Sequence, residues 1–360
     1  MKIFIACGGT GGHFYPGLTV AVELKKQKHE VTVLLSGKHT EKFEAICKSK
    51  KIPTIVSTRY SRSTQLRRMP LLILKVVQNL ITTWGIIRRE KPEAILGMGG
   101  FANFSIIMAK FLKTKTKLFT HEGNAVVGKT NLILSRFATK SLLSLNVTNS
   151  EKLKCESLIT GFPVRKRLIE ESSVTSKHTM TKPEILITGG SQGAQSMNTL
   201  LAEALINYPR LDEVSITHSA GNEAEQLRLQ EIYGKTSAVK VFSFLDDIGL
   251  FYAKTDLAIV RSGASTLFEL ALFKVAPLAI PLPWAADNHQ FYNAESINKL
   301  TESEIIIIMN QGSFSSEKIY QTIDLLLDQP HYFKQVGELL NQSLSGISAT
   351  KAIVEAITLS

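Results

Sequence analysis

The sequence predicts an α/β protein made of two Rossmann-like domains, each built on a parallel sheet. Short apolar runs alternate with helical stretches along the chain, as in parallel sheets covered by helices. A Gly-rich turn follows the first strand of each half, at Gly8-Gly9-Thr10-Gly11-Gly12 and at Gly189-Gly190-Ser191-Gln192-Gly193. The 360 residues suit two domains of roughly 150 residues each. We therefore expect the carboxyl ends of both sheets to face one another across a ligand cleft.

The individual elements follow in order. In the first half the predicted strands are Lys2–Ala6, Glu30–Leu35, Ala94–Leu96 and Lys117–Thr120, with a helix at Gly17–Lys26. In the second half the strands are Glu184–Thr188, Val214–His218, Val239–Phe242, Leu257–Val260 and Ala276–Ile280, with a helix at Gln195–Asn207. The segment Lys166–Pro183 is rich in Ser, Thr and Lys and is predicted to be a linker. We place the domains at residues 1–163 and 164–342, with a C-terminal helix at about 343–360 that packs back onto the first domain.

Charge is distributed unevenly between the halves. Residues 1–166 carry 28 lysines and arginines against 9 glutamates and no aspartate, a net charge of +19, whereas residues 167–360 carry 14 against 22, a net charge of −8. This asymmetry indicates that the first half faces an anionic partner. A generally basic background composition is the alternative, but it does not explain the acidic second half. Nucleic acid is disfavoured because no recognition module is present and aromatic residues are not interleaved with the basic ones.

An anionic membrane surface is the better candidate. Arg67 and Arg68 precede Leu71 and Leu72, and apolar residues beside basic ones suit the interface with anionic lipid. For most of Leu74–Ile87 a buried helix is the preferred interpretation. The chain shows no export signal, no run of roughly 18–20 apolar residues, and no metal or disulfide spacing among its cysteines. These features predict a cytosolic protein that attaches to the membrane from outside the bilayer.

The first Gly-rich turn is predicted to bind an anionic or sugar ligand through main-chain N–H groups of Thr10, Gly11 and Gly12. It is a poor dinucleotide motif, because Phe14 stands at the third glycine position and no acidic residue ends the second strand. Tight packing of the turn is the alternative. His13 closes the turn and is a candidate general base, since its ordinary pKa near 6.5 lets it accept a proton from a hydroxyl. A capping or packing histidine is the alternative.

The second half carries a matching set of polar residues. The N–H groups of Ala264, Ser265 and Thr266, at the start of a predicted helix, suit a diphosphate. Glu269 lies one turn further on, spaced to accept hydrogen bonds from both ribose hydroxyls; an acidic residue favoured by the helix dipole is the alternative. Gln290 offers a donor and an acceptor to a sugar hydroxyl, or caps the surface.

Charge neutralisation by a metal is not expected. No Asp-x-Asp triplet occurs in the sequence. Many sugar-nucleotide transferases hold a divalent cation with such carboxylates, so helix ends and a cationic side chain, with Arg165 as the candidate, are expected to neutralise the diphosphate. The sequence implies no cofactor.

Together these motifs resemble the MurG family over almost the whole chain. The residues that carry the resemblance are Gly8-Gly9-Thr10-Gly11-Gly12-His13 with Pro16, Gly97-Met98-Gly99-Gly100-Phe101, His121-Glu122-x-Asn124 with Gly128 and Asn131, Gly161-x-Pro163-Val164-Arg165, Gly189-Gly190-Ser191-Gln192-Gly193-Ala194, Arg261-Ser262-Gly263-Ala264-x-Thr266 with Glu269, and His289-Gln290 with Asn293-Ala294. The resemblance implies a GT-B fold and inverting, metal-independent transfer of N-acetylglucosamine from UDP-N-acetylglucosamine to the C4 hydroxyl of undecaprenyl-diphosphate-linked N-acetylmuramoyl-pentapeptide, which converts lipid I to lipid II. It also implies peripheral attachment to the cytoplasmic face of the inner membrane, alongside cell-wall synthesis and division proteins.

The resemblance further implies roles for individual residues. Glu269 would hold the ribose and Leu245 would meet the uracil, while Ser191 and residues 264–266 would hold the diphosphate. Gln290, Asn124 and the first Gly-rich turn would contact N-acetylglucosamine. His13 is the first candidate for the base and Glu122 the second.

Two departures from the family pattern lie on the acceptor side. Gly123 stands where the family usually has Gln, and Ala102-Asn103-Phe104-Ser105 replaces a Val-Ser-Gly-Pro type of run. Two alternatives therefore stay open. One is another GT-B enzyme, such as a UDP-N-acetylglucosamine 2-epimerase or a transferase to a different lipid acceptor. The other is a non-catalytic paralogue that docks on the membrane.

Overall fold

The computed structural model describes residues 1–8, 10–37, 39–58, 69–100, 115–174, 181–190, 193–345 and 348–360. They form two compact units, Met1–Arg165 with Ile347–Ser360 and Lys166–Gly346. In each unit the strands of the described part pair only in parallel, so the expected α/β class with two parallel sheets is confirmed. The boundary placed at residue 163 in the sequence falls two residues before this division, and Arg165 belongs to the first unit.

The first unit contains, within its described residues, a seven-stranded sheet in the order β3-β2-β1-β4-β5-β6-β7. The strands are β1 Lys2–Gly8, β2 Glu30–Ser36, β3 Thr54–Thr58, β4 Ala94–Gly97, β5 Lys117–Glu122, β6 Lys140–Leu143 and β7 Glu156–Ile159. The helices are α1 Gly11–Lys26, α2 Thr40–Ser49, α3 Met69–Glu90 and α4 Lys129–Leu134.

The second unit contains, again within the described residues, a six-stranded sheet in the order β10-β9-β8-β11-β12-β13. The strands are β8 Glu184–Thr188, β9 Ser215–Ser219, β10 Val239–Phe242, β11 Leu257–Val260, β12 Ala276–Ala279 and β13 Ile307–Ile308. The helices are α5 Lys166–Val174, α6 Gln195–Ile206, α7 Glu223–Tyr233, α8 Ile248–Tyr252, α9 Ala264–Leu272, α10 His289–Leu300, α11 Ser316–Asp328 and α12 Pro330–Leu344, and α13 Ala349–Thr358 follows in the first unit.

The strand order places both Gly-rich turns where ligands bind in such sheets. In the first unit β1 lies between β2 and β4, and in the second β8 lies between β9 and β11. The strand order therefore reverses beside β1 and beside β8, and ligands of open parallel sheets bind at the carboxyl ends of strands at such reversals. Each Gly-rich turn follows one of these two strands.

The predicted linker Lys166–Pro183 is wrong for its first half, which forms helix α5. Leu168 is only 3% exposed and anchors this helix to its unit. Ion pairs at i,i+4 support it, joining Lys166 to Glu170 and Arg167 to Glu171. The serines near its end suggested a loop, but buried Leu168 and the charge spacing outweigh them. Residues 175–180 lie outside the described part.

The chain returns to the first unit at its C-terminal end. Helix α13 packs against α1, and Ile353, Val354 and Ile357 join the same buried cluster as Leu18 and Val20. These side chains are at most 8% exposed, so α13 supplies part of the apolar cover for one face of the first sheet.

Candidate active site

The N-terminus of α1 presents main-chain donors at the carboxyl edge of the first sheet. Thr10 precedes the helix in an extended conformation, and its carbonyl accepts hydrogen bonds from the N–H groups of His13 and Phe14. The N–H groups of Gly11 and Gly12 lie in the first turn, where a helix supplies them no acceptor. The first turn holds no acidic residue. Its positive end is therefore suited to an anion or a hydroxyl oxygen.

His13 is held in one orientation by the loop that follows β4. Its Nδ1 lies 2.9 Å from the carbonyl oxygen of Met98. A carbonyl can only accept, so Nδ1 carries the proton and Nε2 is the ring nitrogen that can take up another. The ring lies against Gly99 and Gly100, both in the left-handed region with φ of +101° and +68°. A Cβ atom would lie 2.9 Å from the ring at Gly99 and 3.2 Å from it at Gly100, so these glycines make room for His13.

Glu122 ends β5 and accepts four hydrogen bonds from the loop and the helix that follow. Its Oε1 accepts from the main-chain N–H and the side-chain amide of Asn124, both at 3.1 Å. Its Oε2 accepts from the N–H of Gly128 and the side-chain amide of Asn131, both at 2.9 Å. The side chain is only 7% exposed. These hydrogen bonds favour a role for Glu122 in positioning Asn124 over a role as the base.

Gly123 is explained by an aromatic neighbour. A Cβ atom at this position would lie 3.1 Å from the ring of Phe162. The same ring meets His121 edge to face, with 6.1 Å between ring centroids. His121 is buried, which lowers the pKa of its imidazole to about 4, and Ser144 Oγ lies 3.1 Å from its Nε2. Phe162 thus fills the space of a larger side chain at position 123.

Arg165 lies beside α1 within the first unit. Its guanidinium carbon stands 5.3 Å from the centre of the Tyr15 ring, a cation–π arrangement. Tyr15 follows His13 by two residues on the helix. The cationic group proposed for the diphosphate is therefore part of the first unit.

In the second unit the Gly-rich turn after β8 is tight. Gly190 and Gly193 adopt φ of +79° and +70°, and the N–H of Gly193 donates to the carbonyl of Gly190. A Cβ atom at Gly189 would lie 2.4 Å from that of Ala194, which excludes any side chain there. Ser191, predicted to contact the diphosphate, lies outside the described residues.

Helix α9 follows β11, and its first main-chain N–H groups have no acceptor within the helix. Gly263 precedes the helix, makes no side-chain cap, and its carbonyl accepts from the N–H of Leu267. The N–H groups of Ala264, Ser265 and Thr266 come before the first possible intrahelical acceptor. No acidic residue occupies the first turn. These donors form a patch suited to a diphosphate.

Glu269 is fixed by a buried tyrosine that the sequence did not single out. The hydroxyl of Tyr252 donates to Glu269 Oε2 at 3.2 Å, and Tyr252 is 2% exposed. Nothing in the spacing of the chain marks this pair, because Tyr252 ends α8 and Glu269 lies on α9. Leu245, in the loop after β10, is 6% exposed.

Gln290 holds the loop that follows β12. Its Oε1 accepts from the N–H of Leu282 at 2.9 Å, so the group left for a ligand is the amide donor. Asp287 and Asn288 both adopt φ of +52° just before α10, which turns the chain sharply into that helix.

Arg261, at the end of β11, is a second residue whose role the sequence does not reveal. It is 6% exposed, and its guanidinium donates to the carbonyls of Ile280 and Pro281 at 2.9 and 3.0 Å. It also donates to Gln311 Oε1 at 2.5 Å. Arg261 thus ties the start of α9 to the loop after β12, which Gln290 also holds.

Several remaining predictions concern the membrane and metals. Arg67 and Arg68 lie outside the described residues, as do the side chains of Leu71 and Leu72, which begin α3. Further along α3, Ile81 is 63% exposed. Among the described residues no helix has the length and apolar character to cross a bilayer. The same part of the chain holds no cluster of three or more His, Cys, Asp or Glu residues that could bind a metal ion.

Comparison with known proteins gives the family. Residues 3–143 match the glycosyltransferase family 28 N-terminal domain and residues 184–346 match its C-terminal domain. A UDP-N-acetylglucosamine–N-acetylmuramyl-(pentapeptide) pyrophosphoryl-undecaprenol N-acetylglucosamine transferase of Coxiella burnetii is 35% identical over 85% of this chain and 84% of its own length. The protein of the same name from Geotalea uraniireducens is 30% identical over 99% of this chain and 98% of its own length.

Among solved structures, the crystal structure of Acinetobacter baumannii MurG matches with a TM-score of 0.73 and 25% identity, over 100% of both chains. The matches of both halves of the chain, of its sequence and of its fold therefore indicate the same family. The chain belongs to glycosyltransferase family 28 and, within it, to the MurG family of GT-B proteins.

Proposed function

We propose that this protein transfers N-acetylglucosamine from UDP-N-acetylglucosamine to the C4 hydroxyl of undecaprenyl-diphosphate-linked N-acetylmuramoyl-pentapeptide, forming lipid II for peptidoglycan. The relatives reported above carry the name of this activity. The observation that carries the chemistry is the hydrogen bond from His13 Nδ1–H to the Met98 carbonyl. It makes Nε2 the basic nitrogen of a ring that stands in the first turn of α1.

The second unit is proposed to bind the donor. The N–H groups of Ala264, Ser265 and Thr266 would receive the diphosphate, and Glu269, held by Tyr252, would accept from the ribose hydroxyls. Leu245 would border the uracil, and the amide donor of Gln290 would meet a sugar hydroxyl. Each contact uses a group whose geometry is fixed before the ligand arrives, which lowers the cost of ordering the site.

The first unit is proposed to supply the base and the acceptor contacts. His13 Nε2 takes the proton of the attacking hydroxyl while that oxygen bonds to the anomeric carbon from the face opposite UDP. The bond from this carbon to the diphosphate oxygen breaks, the configuration inverts, and negative charge develops on UDP. Helix-end N–H groups and Arg165 would stabilise that charge. Glu122 would hold Asn124 in place against the N-acetylglucosamine.

Location at the cytoplasmic face of the membrane is part of this proposal. The lipid-linked acceptor requires the enzyme to reach a bilayer surface, and the net charge of +19 on residues 1–166 favours an anionic one. Sedimentation with vesicles that contain anionic lipid, compared with neutral vesicles, tests this point. Equal recovery in both pellets would contradict an electrostatic attachment.

Radiolabel transfer from UDP-N-acetylglucosamine to a short-chain lipid I tests the activity directly. We expect product with and without EDTA, because N–H groups and cationic side chains supply the charge that a metal would otherwise supply. His13→Ala should lower turnover by about 10²–10⁴-fold while donor binding persists. Near-normal turnover would overturn the base assignment. Epimer formed from the donor alone, without transfer, would instead identify an epimerase.

A further inference from the structure

The guanidinium of Arg261 is a buried charge surrounded by neutral acceptors. Its hydrogen-bond partners are the main-chain carbonyls of Ile280 and Pro281 and the side-chain oxygen of Gln311. No aspartate or glutamate of the described residues comes within ion-pair distance of it, although the residue is only 6% exposed. Burial lowers its pKa to about 10, so it stays protonated at neutral pH.

An arrangement of this kind is unfavourable for the isolated protein. A buried cation is costly unless an anion compensates it, and carbonyl oxygens offer only part of that compensation. Two polar atoms nearby add to the imbalance. Arg261 Nε and the hydroxyl of Ser262 are buried and have no hydrogen-bond partner among the described residues.

The position of Arg261 indicates what could compensate the charge. Arg261 follows β11 directly and stands three residues before Ala264, where the N-terminus of α9 begins. Its charge therefore adds to the positive helix end that is proposed to receive the diphosphate. The acceptor Gln311 is also reached by the hydroxyl of Ser196, at 3.4 Å, in the first turn of α6. Gln311 thus links the guanidinium to the helix that follows the second Gly-rich turn.

We propose that Gln311 is a positioning residue that orients Arg261 with a neutral acceptor, so that the uncompensated positive charge of Arg261 is available to the diphosphate of the donor. A carboxylate at position 311 would hold the guanidinium equally well but would cancel its charge. This inference rests on the proposed function, because it assumes that the diphosphate binds at the N-terminus of α9.

Gln311→Glu separates the two roles. Both hydrogen bonds to Gln311 use Oε1, so a carboxylate can keep both and add an ion pair with Arg261. We expect the melting temperature to equal or exceed that of the wild type. We expect the Kd for UDP and for UDP-N-acetylglucosamine, measured by calorimetry, to rise about tenfold or more, because the charge felt by the diphosphate is cancelled. The Kd for uridine, measured by competition, should not change.

Two further variants complete the design. Gln321→Glu makes the same change in net charge at an exposed position of α11 and should bind UDP as the wild type does. Gln311→Met removes the acceptor but leaves the charge of Arg261. It should lower the melting temperature, and the ratio of uridine Kd to UDP Kd should fall less than in Gln311→Glu, because the carbonyls of Ile280 and Pro281 still hold the guanidinium and its charge is kept.

Four results would overturn the inference. Three of them concern Gln311→Glu: unchanged UDP binding, equal losses of UDP and uridine binding, or a melting temperature below that of the wild type. The fourth is a loss of UDP selectivity in Gln311→Met as large as the loss in Gln311→Glu. The first shows that the charge does not reach the diphosphate, and the others point to distortion of the site. A wild-type protein that binds neither UDP nor UDP-N-acetylglucosamine would contradict the proposed function itself.

Discussion

Replacement of Glu122 by Gln should loosen the loop that carries Asn124 without removing the base. The carboxylate accepts four hydrogen bonds, two on each oxygen. An amide has one oxygen, so it can keep only two of them, and its NH₂ group then faces two donors. The amide is expected to keep the shorter pair, from Gly128 and Asn131 at 2.9 Å, and to give up the pair from Asn124 at 3.1 Å.

The size of the effect follows from those two lost bonds. A hydrogen bond to a charged group is worth about 1.5–3 kcal/mol. Asn124 is half-buried and can turn towards water, so the lower value applies to each bond and the loss is about 3 kcal/mol. For a domain of this size, that free energy corresponds to a fall in Tm of about 6–12 °C.

Fluorescence can follow the first unit alone. The chain has two tryptophans, Trp84 on α3 of the first unit and Trp284 in the second. In a Trp284→Phe background, thermal unfolding monitored through Trp84 reports the unit that contains Glu122. Glu151→Gln, an exposed acid of the same unit, is the matched control and should leave the Tm unchanged.

Kinetics then separate positioning from catalysis. Glu122→Gln should raise the KM for UDP-N-acetylglucosamine and lower kcat by less than tenfold, because Asn124 is displaced while His13 stays in place. A Tm and a KM equal to those of the wild type would refute the reasoning that Glu122 holds this loop. If the variant instead kept a normal KM and turned over about a hundredfold more slowly, Glu122 would be the base.

Other substitutions and conditions test the packing around the same site. Gly100→Ala places a Cβ atom 3.2 Å from the His13 ring on a backbone with φ of +68°, and steady-state assays should show turnover lowered by about tenfold or more with donor Kd retained. Gly123→Ala should lower the Tm because its Cβ atom would lie 3.1 Å from the Phe162 ring. The double variant Gly123→Ala/Phe162→Leu should recover most of this loss, and a Tm loss equal to the sum of the two single losses would contradict the contact. His121, with its pKa lowered to about 4 by burial, is neutral in the folded state and takes up a proton more readily when unfolded. Its contribution to stability is therefore present above about pH 6.5 and lost as the pH falls towards 4, so urea unfolding of His121→Gln should depend less on pH across that window than the wild type does.

Apolar strands were predictable because burial on both faces leaves a continuous apolar run. β8 and β11 have the predicted bounds, and every residue of both is buried. β10 also has the predicted bounds, although it alternates apolar residues with the exposed Lys240 and is not buried. The edge strand β7 was missed because all four of its residues are exposed, and β13 was missed because it has only two residues. Helix α1 begins at Gly11, whereas the sequence predicted a start at Gly17. Its first turns were missed because they contain Pro16 and glycines, which are poor helix formers.

The residues of the candidate site were predictable where a single segment of the sequence contains the whole motif. His13 after a Gly-rich turn and the start of α9 are visible in the sequence because spacing along the chain sets their geometry. Tyr252, Gln311 and Phe162 were not, because each acts on a residue from a different element. Only the folded chain brings Tyr252 to Glu269, or Gln311 to Arg261.

A crystal structure of the protein with UDP-N-acetylglucosamine would show directly whether main-chain donors and fixed side chains, rather than a metal ion, hold the donor diphosphate. We expect diphosphate oxygens at about 2.7–3.2 Å from the nitrogen atoms of Ala264–Thr266, and both ribose hydroxyls on Glu269. A diphosphate bound elsewhere, or held to the protein through a divalent cation, would contradict this expectation.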